Sequence, residues 1–108
     1  MEGVKQFKDV TLTYEGSVGG TLYVKTDMPG GTIQTRRTIN LPATNGRETH
    51  TFPLDNPSLL EGKQIQWRIE SSGSLIPYGG YVRFRRVGTY IDGAAGDVWE
   101  TQPMGLEG

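Results

Sequence analysis

The sequence predicts an all-β fold: a single antiparallel β-sandwich, immunoglobulin-like or jelly-roll-like, of about six to eight short strands with an extended C-terminal arm. Three observations carry this expectation. The 16 glycines and 6 prolines of the 108 residues fall in clusters, and the segments between them are short and rich in β-branched and aromatic residues. Within several segments apolar and polar residues alternate, as they do when successive side chains point to opposite faces of a sheet. No segment longer than about ten residues repeats its apolar positions at helical spacing. One domain of this size supports one core, so residues 1–87 are read as the sandwich and residues 88–108 as the arm.

Residues 7–14 form the first strand candidate, with Val10, Leu12 and Tyr14 alternating against Asp9, Thr11 and Thr13. After a turn over 15–20, residues 21–26 put Leu22 and Val24 inward and Tyr23 and Lys25 outward. The run Asp27-Met28-Pro29-Gly30-Gly31 is a turn, since proline presets one position and glycine supplies positive φ. Residues 32–41 bring Ile33, Ile39 and Leu41 into phase, and Arg37 on that face argues for an edge or shallow strand. Asn45-Gly46 is a preferred pair for a tight hairpin, which predicts antiparallel pairing of the third strand with a fourth at 47–54. That fourth strand carries His50, Phe52 and Leu54 on one side. The connection 55–62 is expected to hold a short helical turn around 58–61. Residues 64–70 alternate most clearly, with Ile65, Trp67 and Ile69 against Gln66, Arg68 and Glu70, and are read as a central strand. Residues 75–87 form a last strand interrupted between Pro77 and Gly80 by a bulge or bend.

Composition excludes several kinds of chemistry. With 11 Lys and Arg against 12 Asp and Glu, the formal net charge is −1, so no global field draws the protein to nucleic acid or anionic membrane. The chain has no cysteine, which removes disulfides, thiolate nucleophiles and Cys-based metal sites and fits a reducing compartment. No apolar run approaches the roughly 20 residues that span a bilayer, and residues 1–10 lack the pattern of a signal peptide. His50 is the single histidine, too few for a zinc site, and its phase with Phe52 and Leu54 makes it a packed structural side chain. Asp92, Asp97 and Glu100 could offer oxygens to a cation, but their spacing is that of an Asp-Gly turn. Asp55, Glu70 and Glu100 are the carboxylates from which a hydrolase would have to be built. No cofactor or metal is expected, and the chain is expected not to be an enzyme.

Two features point to binding instead. Arg83 and Arg85 share one face of the last strand, Arg86 takes the other, and Tyr81 and Phe84 are interleaved. The arginines read as guards of a strand edge or as polar contacts to a partner rather than as a nucleic-acid platform. Beyond Gly88, the apolar residues Tyr90, Ile91, Val98, Trp99, Met104 and Leu106 follow no regular period among glycines. They have to lie back on the domain or insert into a neighbouring subunit, and Trp99 suits either an arm-pinning or an interface-anchoring role.

Tyr90-Ile91-Asp92-Gly93 followed by Val98-Trp99-Glu100-Thr101-Gln102-Pro103-Met104 resembles the C-terminal signature of small structural proteins of tailed bacteriophages. Thr26-Asp27-Met28-Pro29-Gly30-Gly31, Gly46-Arg47 after Leu-Pro, and Phe52-Pro53-Leu54 before Gly62-Lys63 are similar to runs in the same proteins, so the likeness extends from about Leu12 to Leu106. The resemblance implies a β-rich virion component of the tail or head–tail junction, or alternatively a capsid decoration or cement protein. It implies assembly in the host bacterial cytoplasm, many symmetric copies or a homo-oligomer, and contacts to other virion proteins through loops and the C-terminal arm. From the residues alone, a carbohydrate- or receptor-binding module using Tyr23, Tyr78, Tyr81 and Tyr90 is the other reading.

Overall fold

The computed structural model describes residues 4–56, 58–87 and 99–105, and among them there are eight strands and no helix. The strands are β1 (Val4–Glu15), β2 (Gly20–Thr26), β3 (Gln34–Leu41), β4 (Glu48–Pro53), β5 (Leu60–Gly62), β6 (Ile65–Glu70), β7 (Ile76–Val87) and β8 (Glu100–Pro103). They form two antiparallel sheets. The larger runs β4-β1-β7-β8 with β5 also on β1, and the smaller runs β3-β2-β6. Phe7, Val10, Leu12, Tyr14, Val82 and Phe84 of the larger sheet meet Leu22, Val24 and Leu41 of the smaller in one core. The fold is the expected all-β sandwich.

β1 and β7 are the spine of the larger sheet, and each is bent by a bulge. Phe7 and Val10 are three residues apart and would face opposite ways in a regular strand, yet both are fully buried. An extra residue, Lys8, between the pairs Phe7↔Phe84 and Asp9↔Arg83 restores their common phase. The interruption expected near Pro77 is the second bulge: Thr13 pairs with Gly79 and Tyr14 with Pro77, which leaves Tyr78 over.

Three expectations are corrected. Asn45-Gly46 does not close a hairpin between neighbours, because β3 pairs with β2 while β4 pairs with β1 in the other sheet. Pro42 cannot extend the β3 ladder, and the chain crosses between sheets at that point. The crossing is pinned to the β1–β2 turn: Tyr14 Oη donates to Pro42 O at 2.5 Å, Gly16 N donates to Thr44 Oγ1 at 2.8 Å, and Thr44 N donates to Gly16 O at 2.9 Å. Residues 60–62 are strand, not helical turn, since Leu60 is buried and Gly62 lies against Thr26 too closely for a side chain. Finally, β6 is an edge strand, paired among the described residues with β2 alone. Its clear alternation, with Ile65, Trp67 and Ile69 half-buried and their neighbours exposed, reports one wet face and says nothing about centrality.

The turn after β2 is tied across the molecule by Asp27, whose Oδ1 accepts from the backbone N–H of Lys63 at 2.8 Å and of Gln64 at 3.3 Å. Desolvation is the largest single influence on this carboxyl and pushes its pKa up, but the backbone donors of Lys63, Gln64 and Asp27 itself together bring it below its ordinary 3.8. A carboxyl depressed in the folded state stabilises fully above its unfolded pKa, and that contribution is lost as pH falls through the lower folded value. Asp27→Asn is therefore expected to flatten the acid limb of stability below about pH 4, read as urea midpoints against pH, with no change in slope at neutral pH.

Candidate functional site

The register of β1 against β7 sorts the chemistry of the larger sheet by face. With Val82 and Phe84 directed to the core, Tyr81, Arg83 and Arg85 stand on the outer face opposite Thr11, Asp9 and Gln6. Asp9 is 8% exposed, and Arg83 holds it in a two-pronged pair, Nε to Oδ1 at 2.8 Å and Nη2 to Oδ2. The hydrogen bond to Asp9 and its charge raise the pKa of Arg83. Arg85 Nε donates to Gln6 Oε1 at 2.8 Å, and its guanidinium lies 5.2 Å from the Trp99 ring centroid. Lys8 Nζ lies 5.1 Å from the same ring, so two cations meet Trp99, which is half-buried.

Of the residues singled out in the C-terminal arm, Trp99 and Met104 are described, whereas Tyr90, Ile91, Val98 and Leu106 lie outside the described residues. Residues 100–103 are added to the free edge of β7 through the pairs Phe84↔Glu100 to Tyr81↔Pro103. Met104 N donates to Gly80 O at 3.0 Å, and its side chain is 6% exposed within the core cluster. This stretch thus lies back on its own domain, pinned by Trp99 outside and Met104 inside. Glu100 pairs with Arg86 at 3.0 Å. Asp92 and Asp97, weighed with it as cation ligands, lie outside the described residues.

His50 and Glu70, two of the candidate reacting groups, are engaged in pairs on different sheets. His50 sits between Tyr14, at 5.7 Å between ring centroids, and Phe52, at 6.0 Å, with Nε2 3.0 Å from Glu48 Oε1. The backbone N–H of Asn45, then the His50 side chain, hold the Glu48 carboxyl below its ordinary pKa. Burial, then the Glu48 charge, push Tyr14 above its own. Glu70 pairs with Arg68 in the smaller sheet, and Asp55 is exposed after β4. Among the described residues, no three His, Asp or Glu side chains converge as a metal site would require.

Two surface features were not foreseen. The first is a groove on the outer face, about 430 Å³, lined by Thr11, Thr13, Thr49, Arg47, Tyr78, Gly79, Gly80 and Tyr81. Tyr78 and Tyr81 are 43% and 44% exposed. Thr11 pairs hydroxyl to hydroxyl with Thr51 at 2.9 Å, and Thr13 with Thr49 at 2.7 Å. Tyr78 is held from two sides, its Oη donating to Glu15 Oε1 at 2.9 Å and the Arg47 guanidinium stacked 3.7 Å from its ring centroid. Gly79 has φ +141°, open to glycine and strained for other residues, and a Cβ there would meet nothing within 4 Å. The sequence signal was the run Tyr78-Gly79-Gly80-Tyr81, legible as a bulge but not as the floor and rim of a groove.

The second feature is an arginine pair at the β3 bulge. Arg36 gathers the carbonyls of Thr26, Pro29 and Thr32 at 3.4, 2.7 and 3.1 Å, stapling the turn between β2 and β3. Arg37 reaches Ser58 O at 2.9 Å, and its buried Nε has no hydrogen-bond partner among the described residues.

No family model matches the chain, and no curated protein or solved structure shows significant similarity to it.

Proposed function

We propose that this chain is a non-catalytic structural component of a tailed-phage virion, at the tail or head–tail junction, that acts by binding neighbouring virion proteins. The resemblance of its turn and arm motifs supports the virion assignment. The observation that carries the binding mode is β8, a four-residue strand that continues the larger sheet with no strand on its far side among the described residues. An open sheet edge pairs with an added strand through backbone hydrogen bonds, and repeated copies in a symmetric assembly multiply such weak contacts. The engagement of His50, Glu48, Glu70 and Glu100 in pairs within their own sheets supports a role without chemistry.

The test is co-sedimentation of the purified full-length chain with dissociated virion subassemblies. Proline at Thr101 is the edge variant: Met104 N donates to Gly80 O, so by alternation along the ladder the Thr101 N–H faces away from β7. Saturable binding by the native chain, weakened at least about tenfold in Thr101→Pro with the melting temperature held within a few degrees, is the expected result. Failure of the native chain to bind any subassembly contradicts the proposal.

A further inference from the structure

We infer that the groove between Tyr78 and Tyr81 is a saccharide site that takes a neutral pyranose unit. The inference does not depend on the virion reading, because it rests on the chemistry of the outer face alone.

A pyranose ring has an apolar face of C–H bonds and a periphery of hydroxyls that both donate and accept. A site for it needs a fixed flat apolar surface, room beside that surface for the thickness of a ring, and polar groups able to both donate and accept. Tyr81 supplies an exposed aromatic ring. Tyr78 supplies a second, held in place by Glu15 and Arg47 before any ligand arrives, which limits the ordering cost of binding. The missing side chain at Gly79 leaves open space on the floor between them.

The hydroxyl ladder completes the match. In each pair, Thr11 with Thr51 and Thr13 with Thr49, one O–H is spent on the neighbour. The pair keeps one unspent O–H and several lone pairs, so it both donates and accepts. A ligand of hydroxyls meets this requirement at every contact, whereas an extended proline-rich peptide brings mainly carbonyl acceptors. Charge favours a neutral ligand: Arg47 lines the groove, Glu15 lies beside it with the opposite sign, and both are engaged with Tyr78.

The full-length chain is applied to a printed array of neutral and acidic oligosaccharides, and bound sugars are titrated in solution by chemical-shift mapping. Three single variants are compared: Tyr81→Ala removes a stacking surface, Thr49→Val removes one hydroxyl at constant shape, and Gln66→Ala alters an exposed residue of the other sheet. The expected result is saturable binding of at least one neutral oligosaccharide, with shifts centred on residues 78–81. Tyr81→Ala and Thr49→Val each weaken it by about tenfold or more, Gln66→Ala leaves it unchanged, and all three melt with the native chain. The inference is overturned if nothing on the array binds above the Tyr81→Ala level, if bound sugars are all acidic, if Tyr81→Ala binds as tightly as native, or if a proline-rich decapeptide displaces the sugar at lower concentration. Loss of subassembly binding in Tyr81→Ala with no glycan bound would assign the groove to a protein neighbour and equally overturn the inference.

Discussion

Replacing Gly80 with valine is expected to leave the chain unfolded, and Gly80→Ala to cost about 3 kcal/mol or more, out of the roughly 5–15 kcal/mol that holds a domain of this size together. A Cβ at this position would collide with the backbone oxygen of Thr11, stand 2.5 Å from Met104 Sδ, and lie 3.2 Å from Leu12 Cα. The methionine can swing away. The β1 backbone cannot, because Leu12 is the register partner of Gly80 and retreat would open the ladder between the two longest strands. Gly79, one residue earlier, provides the contrast. Gly79→Ala meets no atom and suffers only from its positive φ, so its expected cost is nearer 1 kcal/mol. Urea unfolding of the three variants measures the difference. Equal costs at 79 and 80 would mean that β1 and β7 are not in the register described.

Met104→Ala is expected to cost about 2–4 kcal/mol, and Met104→Leu less than about 1.5 kcal/mol, because the first leaves a cavity and the second conserves volume. Met104 closes the core where β8 joins β7, packed against the glycine whose missing side chain admits its sulfur. The loss should be independent of protein concentration, since the segment sits on the sheet of its own chain. Ending the chain before Trp99 removes the anchor, the strand and the ring that meets Lys8 and Arg85, and it exposes the edge of β7. Aggregation of that variant at micromolar concentration is the accompanying expectation. A melting temperature of the native chain that rises steeply with concentration would instead mean that β8 is exchanged between copies.

These expectations concern residues whose importance the sequence shows unevenly. Period-two alternation made β2, β6 and the C-terminal half of β1 legible, because a strand with one wet face writes its burial into every second residue. It could not reveal the Lys8 bulge, which makes Phe7 and Val10 neighbours on one face only once β7 is alongside. Asn45-Gly46 signalled a turn correctly and its partners wrongly: a local conformational preference does not specify which sheet the next strand joins. The bulge at Tyr78 was legible from Pro77 and two glycines. The groove was not, since it is assembled from β1, β4 and β7 and depends on which hydroxyls lie opposite one another. Arg83 was legible as an outward charge, but the partner that fixes it, Asp9, lies 74 positions away. Met104 read as arm because a lone apolar residue among glycines carries no period from which burial could be inferred.

The proposed virion role is tested most directly by quantitative mass spectrometry of purified phage particles, with copies of this chain counted against a subunit of known symmetry. It predicts a fixed copy number per particle that is a whole multiple of the local ring or lattice symmetry and survives high-salt washing. A chain absent from the particle, or present in variable trace amounts that washing removes, would contradict the claim that it works as a built-in part held by its neighbours.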